Sequence, residues 1–289
     1  MTAIRTSGLT HTYSQGSPFQ KTAVEDVTVD IQQGEYVGVI GHTGSGKSTL
    51  IQHFNGLLRP TAGKVFVGDQ DIWQSKEILH RVRFQVGLVF QYPEHQLFGE
   101  TVYKDIAFGP GNMGLSEEEI DTRVRQAARF VGLKEKHLEK SPFELSGGQK
   151  RRVAIAGVLA MDPSVLILDE PTAGLDPRGR DQILGEIREY HQEKKTTILL
   201  VSHSMEDIAR YATKAMVLNK SRLYCYDTVE EVFGRSQELA QMGLSVPQVS
   251  RVFLALGPRY GLDTRVFTAQ QAADALLARL GKGVTGHDS

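Results

Sequence analysis

Two kinds of apolar pattern take turns along the chain, and their alternation predicts a layered fold. Residues 24–31, VEDVTVDI, alternate apolar and polar from Val27 through Val29 to Ile31, as a half-buried strand does. Gly34 and Glu35 turn into YVGVI at 36–40, an unbroken apolar run of strand length that reads as a buried strand. A glycine-rich segment follows, then a helix from about Lys47 to Leu58. Residues 64–90 read as short strands and turns ending in VGLVF. The next region is helical. Ser116 and Glu119 form a capping box, and Ile120, Val124, Ala127, Ala128 and Val131 recur at helical spacing up to Gly132, a C-cap glycine. From residue 146 the pattern runs helix, strand (165–168), helix from Asp176 and Pro177, strand (197–201), helix from Ser204. Such alternation predicts an α/β fold with a mostly parallel sheet and helices on both faces.

The pattern changes after Phe233. Residues 234–289 read as short helices, the clearest starting at Thr268, which pairs with Gln271 in a second capping box. Ala269, Ala272, Ala273, Leu276, Leu277 and Leu280 form one apolar stripe. The stripe either closes onto its own domain or meets a partner. The expected organisation is therefore a main domain at 1–233 and a C-terminal helical extension at 234–289, ending in a mobile tail, GKGVTGHDS. No internal repeat or low-complexity segment is present.

Composition narrows the function classes. The 289 residues carry 33 basic and 34 acidic side chains, a formal net charge of -1. That balance speaks against a nucleic-acid footprint, which shows as a basic excess. Cys225 is the only cysteine, so no internal disulfide forms and a reducing compartment fits. The N-terminal MTAIRTSGLTHTY lacks the apolar core of a signal peptide. The longest apolar runs, VLIL and TILLV, have strand length and fall far short of the roughly 20 residues of a membrane helix. The expectation is a cytoplasmic chain that does not itself cross a membrane.

Four stretches carry chemistry. GHTGSGKST at 41–49 fits G-x-x-x-x-G-K-[ST] between a predicted strand and a predicted helix, the setting of a phosphate-binding P-loop. Gly41, Gly44 and Gly46 let backbone N–H groups of this loop, with His42, Thr43 and Ser45 between them, turn inward around phosphates. Lys47 places a point charge on the β- and γ-phosphates of ATP, the Ser48 hydroxyl ligates Mg²⁺, and Thr49 closes the ATP-binding stretch. His42 fills a variable position and receives no side-chain role. VLILDEP at 165–171 ends a buried strand in two acids. Asp169 is expected to reach Mg²⁺ through water, and Glu170 to orient or deprotonate the attacking water. LSGGQ at 145–149 opens a helix at Ser146, Gly147, Gly148 and Gln149, a second anion-binding N-terminus. A second phosphate cradle in one chain asks for a second nucleotide, or for one held by another copy. His203 follows the strand at 197–201 and falls at the same sheet edge as Asp169, where ligands of α/β sheets bind.

Together these residues resemble the ATP-binding-cassette (ABC) ATPases over roughly residues 1–233. P-loop, Gln91, LSGGQ, Walker B strand, the AGLD stretch at 173–176 and His203 stand in the family's order. The resemblance implies a RecA-like parallel-sheet core, an N-terminal antiparallel β subdomain and an α-helical signature subdomain at about 100–160. It implies a head-to-tail dimer enclosing two MgATP, with Ser146, Gly147 and Gly148 touching the γ-phosphate held by the partner. Gln91 would sense Mg²⁺ and the attacking water, His203 the γ-phosphate, and Asp176 would link the two sites. Tyr13 falls where the family stacks an aromatic ring on adenine.

Soluble ABC ATPases of DNA repair are the alternative class. Only about 100 residues separate P-loop and LSGGQ here, with no heptads for a long coiled coil, so a transporter motor is the better reading. That reading gives QYPEHQLF at 91–98 a purpose. In transporter cassettes the segment after the Q-loop glutamine helps to form a groove for a coupling helix of the membrane subunit. Tyr92, Pro93, Leu97 and Phe98 are then expected at or beside that docking surface. The wording of VFQYPEHQLFGETVYKDIAFGP, SPFELSGGQKRRVAIAGVLAMDP and LDEPTAGLDPRGR is similar to the energy-coupling-factor (ECF) transporter ATPases, and IGHTGSGKSTL more to their second, A-prime, subunit. This resemblance implies a second, similar ATPase as partner, a transmembrane T subunit, a substrate-binding S subunit, and a peripheral place on the cytoplasmic face of the cell membrane. The homodimeric ATPase of an ordinary ABC importer is the nearer alternative.

Overall fold

The computed structural model describes residues 1–284. Two long strands, β1 (Thr2–Tyr13) and β2 (Lys21–Gln32), precede β3 (Tyr36–Ile40) and helix α1 (Lys47–Phe54). Next come β4 (Ala62–Val67), β5 (Gln70–Asp71), α2 (Lys76–Gln85) and β6 (Val86–Val89). Three helices then form a block: α3 (Val102–Asn112), α4 (Glu117–Phe130) and α5 (Gly147–Leu159). The chain returns through β7 (Val165–Asp169), α6 (Pro177–Lys194), β8 (Thr197–Val201), α7 (Met205–Tyr211), β9 (Lys214–Asn219) and β10 (Arg222–Thr228). It ends in α8 (Val229–Gly234), α9 (Ser236–Gln241), α10 (Gln248–Tyr260) and α11 (Ala269–Val284).

The strands form two sheets. One is antiparallel, in the order β2-β1-β4-β5. The other has the order β10-β9-β3-β8-β7-β6, parallel from β9 to β6 with β10 as an antiparallel edge. Its central strands are buried on both faces, which explains their continuous apolar runs. Val37, Val39, Leu199 and Val201 join the core under the antiparallel sheet and α1. Tyr36, Ile40, Ile198 and Leu200 join the opposite core, with α5, α6 and α7. Gly38 is small because α7 lies against it: a Cβ there would stand 2.5 Å from an Ile208 methyl.

Most of the sequence reading holds at element level, with two differences. Residues 76–85 form α2, capped by the Ser75 hydroxyl, where only strands and turns were expected. This helix buries a single residue, Val82, so its apolar stripe is too thin to read as a period. Within QYPEHQLF, Pro93–Gln96 form a single 3-10 turn. Residues 281–284, expected in the tail, continue α11; the rest of the expected tail, 285–289, lies outside the described residues. Both capping boxes are present, at Ser116 with Glu119 and at Thr268 with Gln271. The C-terminal helices pack on the main core through Leu244, Val246 and Phe267 and form a small cluster of Phe253, Val266 and Ala272. The leucines of the α11 stripe do not close onto the chain: Leu276, Leu277 and Leu280 are 45%, 67% and 67% exposed. Among the described residues, no helix is long and apolar enough to cross a membrane.

Candidate active site

Four parallel strands deliver the chemistry to one sheet edge. The P-loop leaves β3, Gln91 follows β6, Asp169 and Glu170 end β7, and His203 follows β8. Because Asp169 pairs in register with Val201, the ends of β7 and β8 are level. There they border a cleft of about 410 Å³. The cleft is lined by Thr43, Gly44, Gly46, Lys47, Ser48 and Thr49 of the loop and helix, by Gln91, Glu170 and His203, and by Tyr13, Lys21 and Ala23.

The loop is shaped by close approach. Gly46, at φ 101, passes so near β2 that a Cβ would lie 2.1 Å from the Ala23 carbonyl oxygen. Only glycine satisfies both the left-handed backbone and that contact. Gly41, His42 and Ser45 stand behind the loop rather than in the cleft wall, and Ser45 is fully buried. Lys47 Nζ donates to the carbonyl oxygens of Gly41 at 2.7 Å and His42 at 3.1 Å, which aims the ammonium across the loop. Burial pulls the Lys47 ammonium below the ordinary lysine range, partly offset by the nearby carboxylates of Glu170 and Asp169.

The two acids differ in environment. Asp169 is buried, and burial raises its carboxyl above the usual aspartate range, against the pull of the Ser48 hydroxyl bonded to it. Glu170 reaches the cleft. Its carboxylate accepts from Gln91 Nε2 at 3.2 Å on one oxygen and lies 2.9 Å from His203 Nε2 on the other. Its backbone has φ 49, a left-handed conformation uncommon for glutamate and held by its N–H donating to the Val201 carbonyl at 3.0 Å. Tyr92, just after Gln91, is also left-handed at φ 54. Strained backbone thus flanks the carboxylate on both sides. Gln91, Glu170 and His203 form one hydrogen-bonded row facing the loop that carries Lys47.

The remaining expected site residues are elsewhere. Ser146 caps α5 in a capping box with Gln149, and with Gly147 it is exposed; none of Ser146–Gln149 lines this cleft. Asp176 caps α6, accepting from the Gly179 N–H at 2.7 Å, and is also exposed. Of the four docking residues, Tyr92 and Phe98 are exposed, whereas Pro93 is buried and Leu97 packs on the core. Phe108 on α3, absent from the sequence reading, stacks edge-on against Phe98 at 4.9 Å and is itself 53% exposed.

Sequence reasoning also missed a connecting arginine. Arg151, two residues past LSGGQ, is 3% exposed and pairs with both oxygens of Glu94 at 3.0 and 2.6 Å. It further donates to the carbonyls of Pro171 at 3.2 Å and Ala173 at 2.7 Å. One side chain therefore clasps the turn after Gln91, the LSGGQ helix and the segment after Glu170. The signal available was a charged residue on the buried side of α5, legible only once the helix face is known. Lys21 and Ala23 were missed because only the register of β1 on β2, with Tyr13 opposite Lys21, brings them to the cleft.

Fold and cleft together define a P-loop ATPase of the ATP-binding-cassette type. The family model described as ABC transporter matches residues 24–173. Curated relatives named energy-coupling factor transporter ATP-binding protein EcfA2 match along nearly the whole chain. The one from Clostridium tetani is 54% identical over 95% of this chain and 96% of its own, and that from Geobacillus kaustophilus 50% identical over 96% and 97%. Among solved structures, cbiO1 from Clostridium perfringens, described as part of the ABC transporter complex cbiONQ, matches with TM-score 0.74 at 37% identity, over 90% of this chain and 97% of that one. The cassette MJ0796, solved as a dimer bound to ADP and Pi, matches with TM-score 0.69 at 27% identity, over 78% and 98%. The chain belongs to the ABC transporter family, among the energy-coupling factor transporter ATP-binding proteins, and it is an ATPase whose hydrolysis is coupled to transport.

Proposed function

We propose that this chain is one of two similar but non-identical ATPases of an ECF-type importer for vitamins or other micronutrients, transition metal ions included. The observation that carries the reading is a cleft equipped on one side only. The P-loop, Gln91, Glu170 and His203 meet at one sheet edge, while the exposed N-terminus of α5 at Ser146 stands outside it. A second cassette placed head to tail would bring its own LSGGQ to this cleft, and Ser146–Gln149 of this chain would reach the partner's nucleotide. Asp176, exposed at the start of α6, would link the two sites.

Within the cleft each residue has a task. Tyr13 offers an aromatic face for adenine, and the loop amides with Lys47 hold the phosphates. Glu170 orients the attacking water and takes its proton, with Gln91 and His203 fixing the carboxylate and contacting the γ-phosphate side. The residues also fit Mg²⁺, which keeps several waters and needs few protein oxygens. The Ser48 hydroxyl and the buried Asp169 carboxyl supply such oxygens, with Gln91 within the same row. When bound, the ion would neutralise charge between the phosphates.

The membrane partners follow the same logic. Phe98 and Phe108 form an exposed aromatic pair and Tyr92 is exposed next to Gln91, surfaces suited to a coupling helix of a T subunit, with an S subunit supplying the substrate. Pro93 is buried and Leu97 packs on the core, so both would hold the segment in place rather than meet the partner. The chain would then work peripherally on the cytoplasmic face of the membrane. Residues 234–289 are read as a separate C-terminal domain, and the exposed leucines of α11 support its use as a contact between cassettes.

Affinity purification of the tagged chain from detergent-extracted membranes of its native host tests the proposal. A second, non-identical cassette and a polytopic membrane protein are expected. Recovery of this ATPase alone with a permease pair would replace the reading with a homodimeric importer. A chain found only in the soluble fraction would overturn membrane coupling altogether.

A further inference from the structure

Beneath Tyr13 lies a histidine pair that none of the motifs requires. His53 on α1 is fully buried, and His11 on β1 is 8% exposed. His53 Nδ1 stands 2.7 Å from the Thr49 carbonyl oxygen. A carbonyl only accepts, so this nitrogen carries the hydrogen and donates it. Burial pushes the His53 imidazole down to about 4, which keeps the ring neutral at ordinary pH and leaves Nε2 as an acceptor. His11 Nδ1 is 3.1 Å from that Nε2 and donates to it, sharing its hydrogen with the Arg59 carbonyl at 3.2 Å.

The rings are stacked in sequence. His11 stands edge-on to His53 at 4.7 Å, and Tyr13 edge-on to His11 at 4.5 Å. The Tyr13 hydroxyl closes the circuit on the Thr49 hydroxyl at 3.2 Å. Thr49 and His53 are one turn apart on α1, so they present one face to β1. Only Tyr13 and Thr49 of the four reach the cleft.

We propose that the His11–His53 pair is a positioning device that presets Tyr13 as the platform for the nucleotide base. It rests on the reading of Tyr13 as that platform. A tyrosine at 40% exposure would otherwise sample several rotamers and lose that freedom on binding. Holding the ring against α1 removes this cost in advance, roughly three- to tenfold in affinity. The phosphate contacts are untouched, so the pair acts on affinity through the base and not on the chemical step.

The test is a double-mutant cycle on the full-length chain, read by calorimetric titration with AMP-PNP. His53→Phe keeps a ring of similar size and deletes its bonds to Thr49 and His11; His11→Phe keeps the stack on Tyr13 and deletes the bonds to His53 and to the Arg59 carbonyl. Each is expected to weaken binding roughly three- to tenfold. Neither is expected to weaken it further in a Tyr13→Ala background, which itself loses roughly tenfold or more. In the assembled complex the loss should appear in KM for ATP, not in kcat. Equal losses in the parent and in the Tyr13→Ala background would show that the histidines act elsewhere and overturn the proposal, as would unchanged affinity in both variants. If Tyr13→Ala binds as tightly as the parent, the platform reading itself fails and the proposal with it. Should His53→Phe not fold, His11→Phe, nearer the surface, carries the cycle alone.

Discussion

Glu170 is held at both carboxylate oxygens, and its two partners come from different strands. As the proposed base, a carboxylate so fixed would need no reorientation when a water arrives. Replacing it by glutamine keeps the size and removes the proton acceptor. Glu170→Gln is expected to slow ATP hydrolysis about 10²–10⁴-fold while leaving nucleotide affinity little changed, as steady-state phosphate release and a parallel binding titration would show. Lys47 should behave in the opposite way. Its ammonium is already aimed by two loop carbonyls, and charge-assisted hydrogen bonds contribute about 1.5–3 kcal/mol each. Lys47→Ala should therefore weaken ATP binding by at least about tenfold in the same titration. Both residues were legible in the sequence, because a P-loop and a strand ending in two acids are local patterns. The contacts that hold Glu170 were not, since Gln91 and His203 lie far from it along the chain.

At the scale of elements, Arg151 is the clearest case of a role that packing alone creates. It joins the turn that carries the expected docking surface to the LSGGQ helix and to the stretch between Glu170 and Asp176. Movement at any one of these would be felt by the other two. Glu94→Gln deletes the charge partner but keeps the shape. It is expected to lower stability by about 1.5–3 kcal/mol, seen as a fall of several degrees in Tm. It should reduce transport by the assembled complex more than it reduces ATP hydrolysis. Equal losses of both would mean that Arg151 only holds the fold. A second interelement tie, Arg180 to buried Asp207 at 3.0 and 2.8 Å, fixes α6 against α7 and hence Asp176 relative to His203. Helix α2 shows the limit of periodicity at this scale. With one buried residue, it is a helix by capping and local propensity rather than by amphipathic pattern.

At the scale of the molecule, two exposed features suit the proposed second cassette. Ser146 and Gly147 face solvent, as do Leu276, Leu277 and Leu280. If the LSGGQ helix serves the partner's nucleotide, Ser146→Arg should abolish hydrolysis in the assembled dimer without weakening ATP binding to this chain's own P-loop. Leu277→Asp with Leu280→Asp should shift sedimentation from dimer towards monomer while leaving Tm of the monomer within about 1 °C, since exposed positions add little to folding. An unchanged dimer would return the α11 stripe to a merely local feature.

Sequence alone determined the class of fold, most of its elements and the P-loop motif. Each rests on short-range chemistry: apolar periods, caps, and glycines next to a lysine. The tertiary structure decided which face each element buries. From this came the His11–His53 pair under Tyr13, the Arg151 clasp, the Phe98–Phe108 patch and the inward turn of Pro93 and Leu97. These groups are brought together by strand register and helix packing, which depend on contacts between residues far apart in the chain. No local pattern encodes them, because a side chain's partner across a sheet is set by the whole sheet and not by its neighbours in sequence.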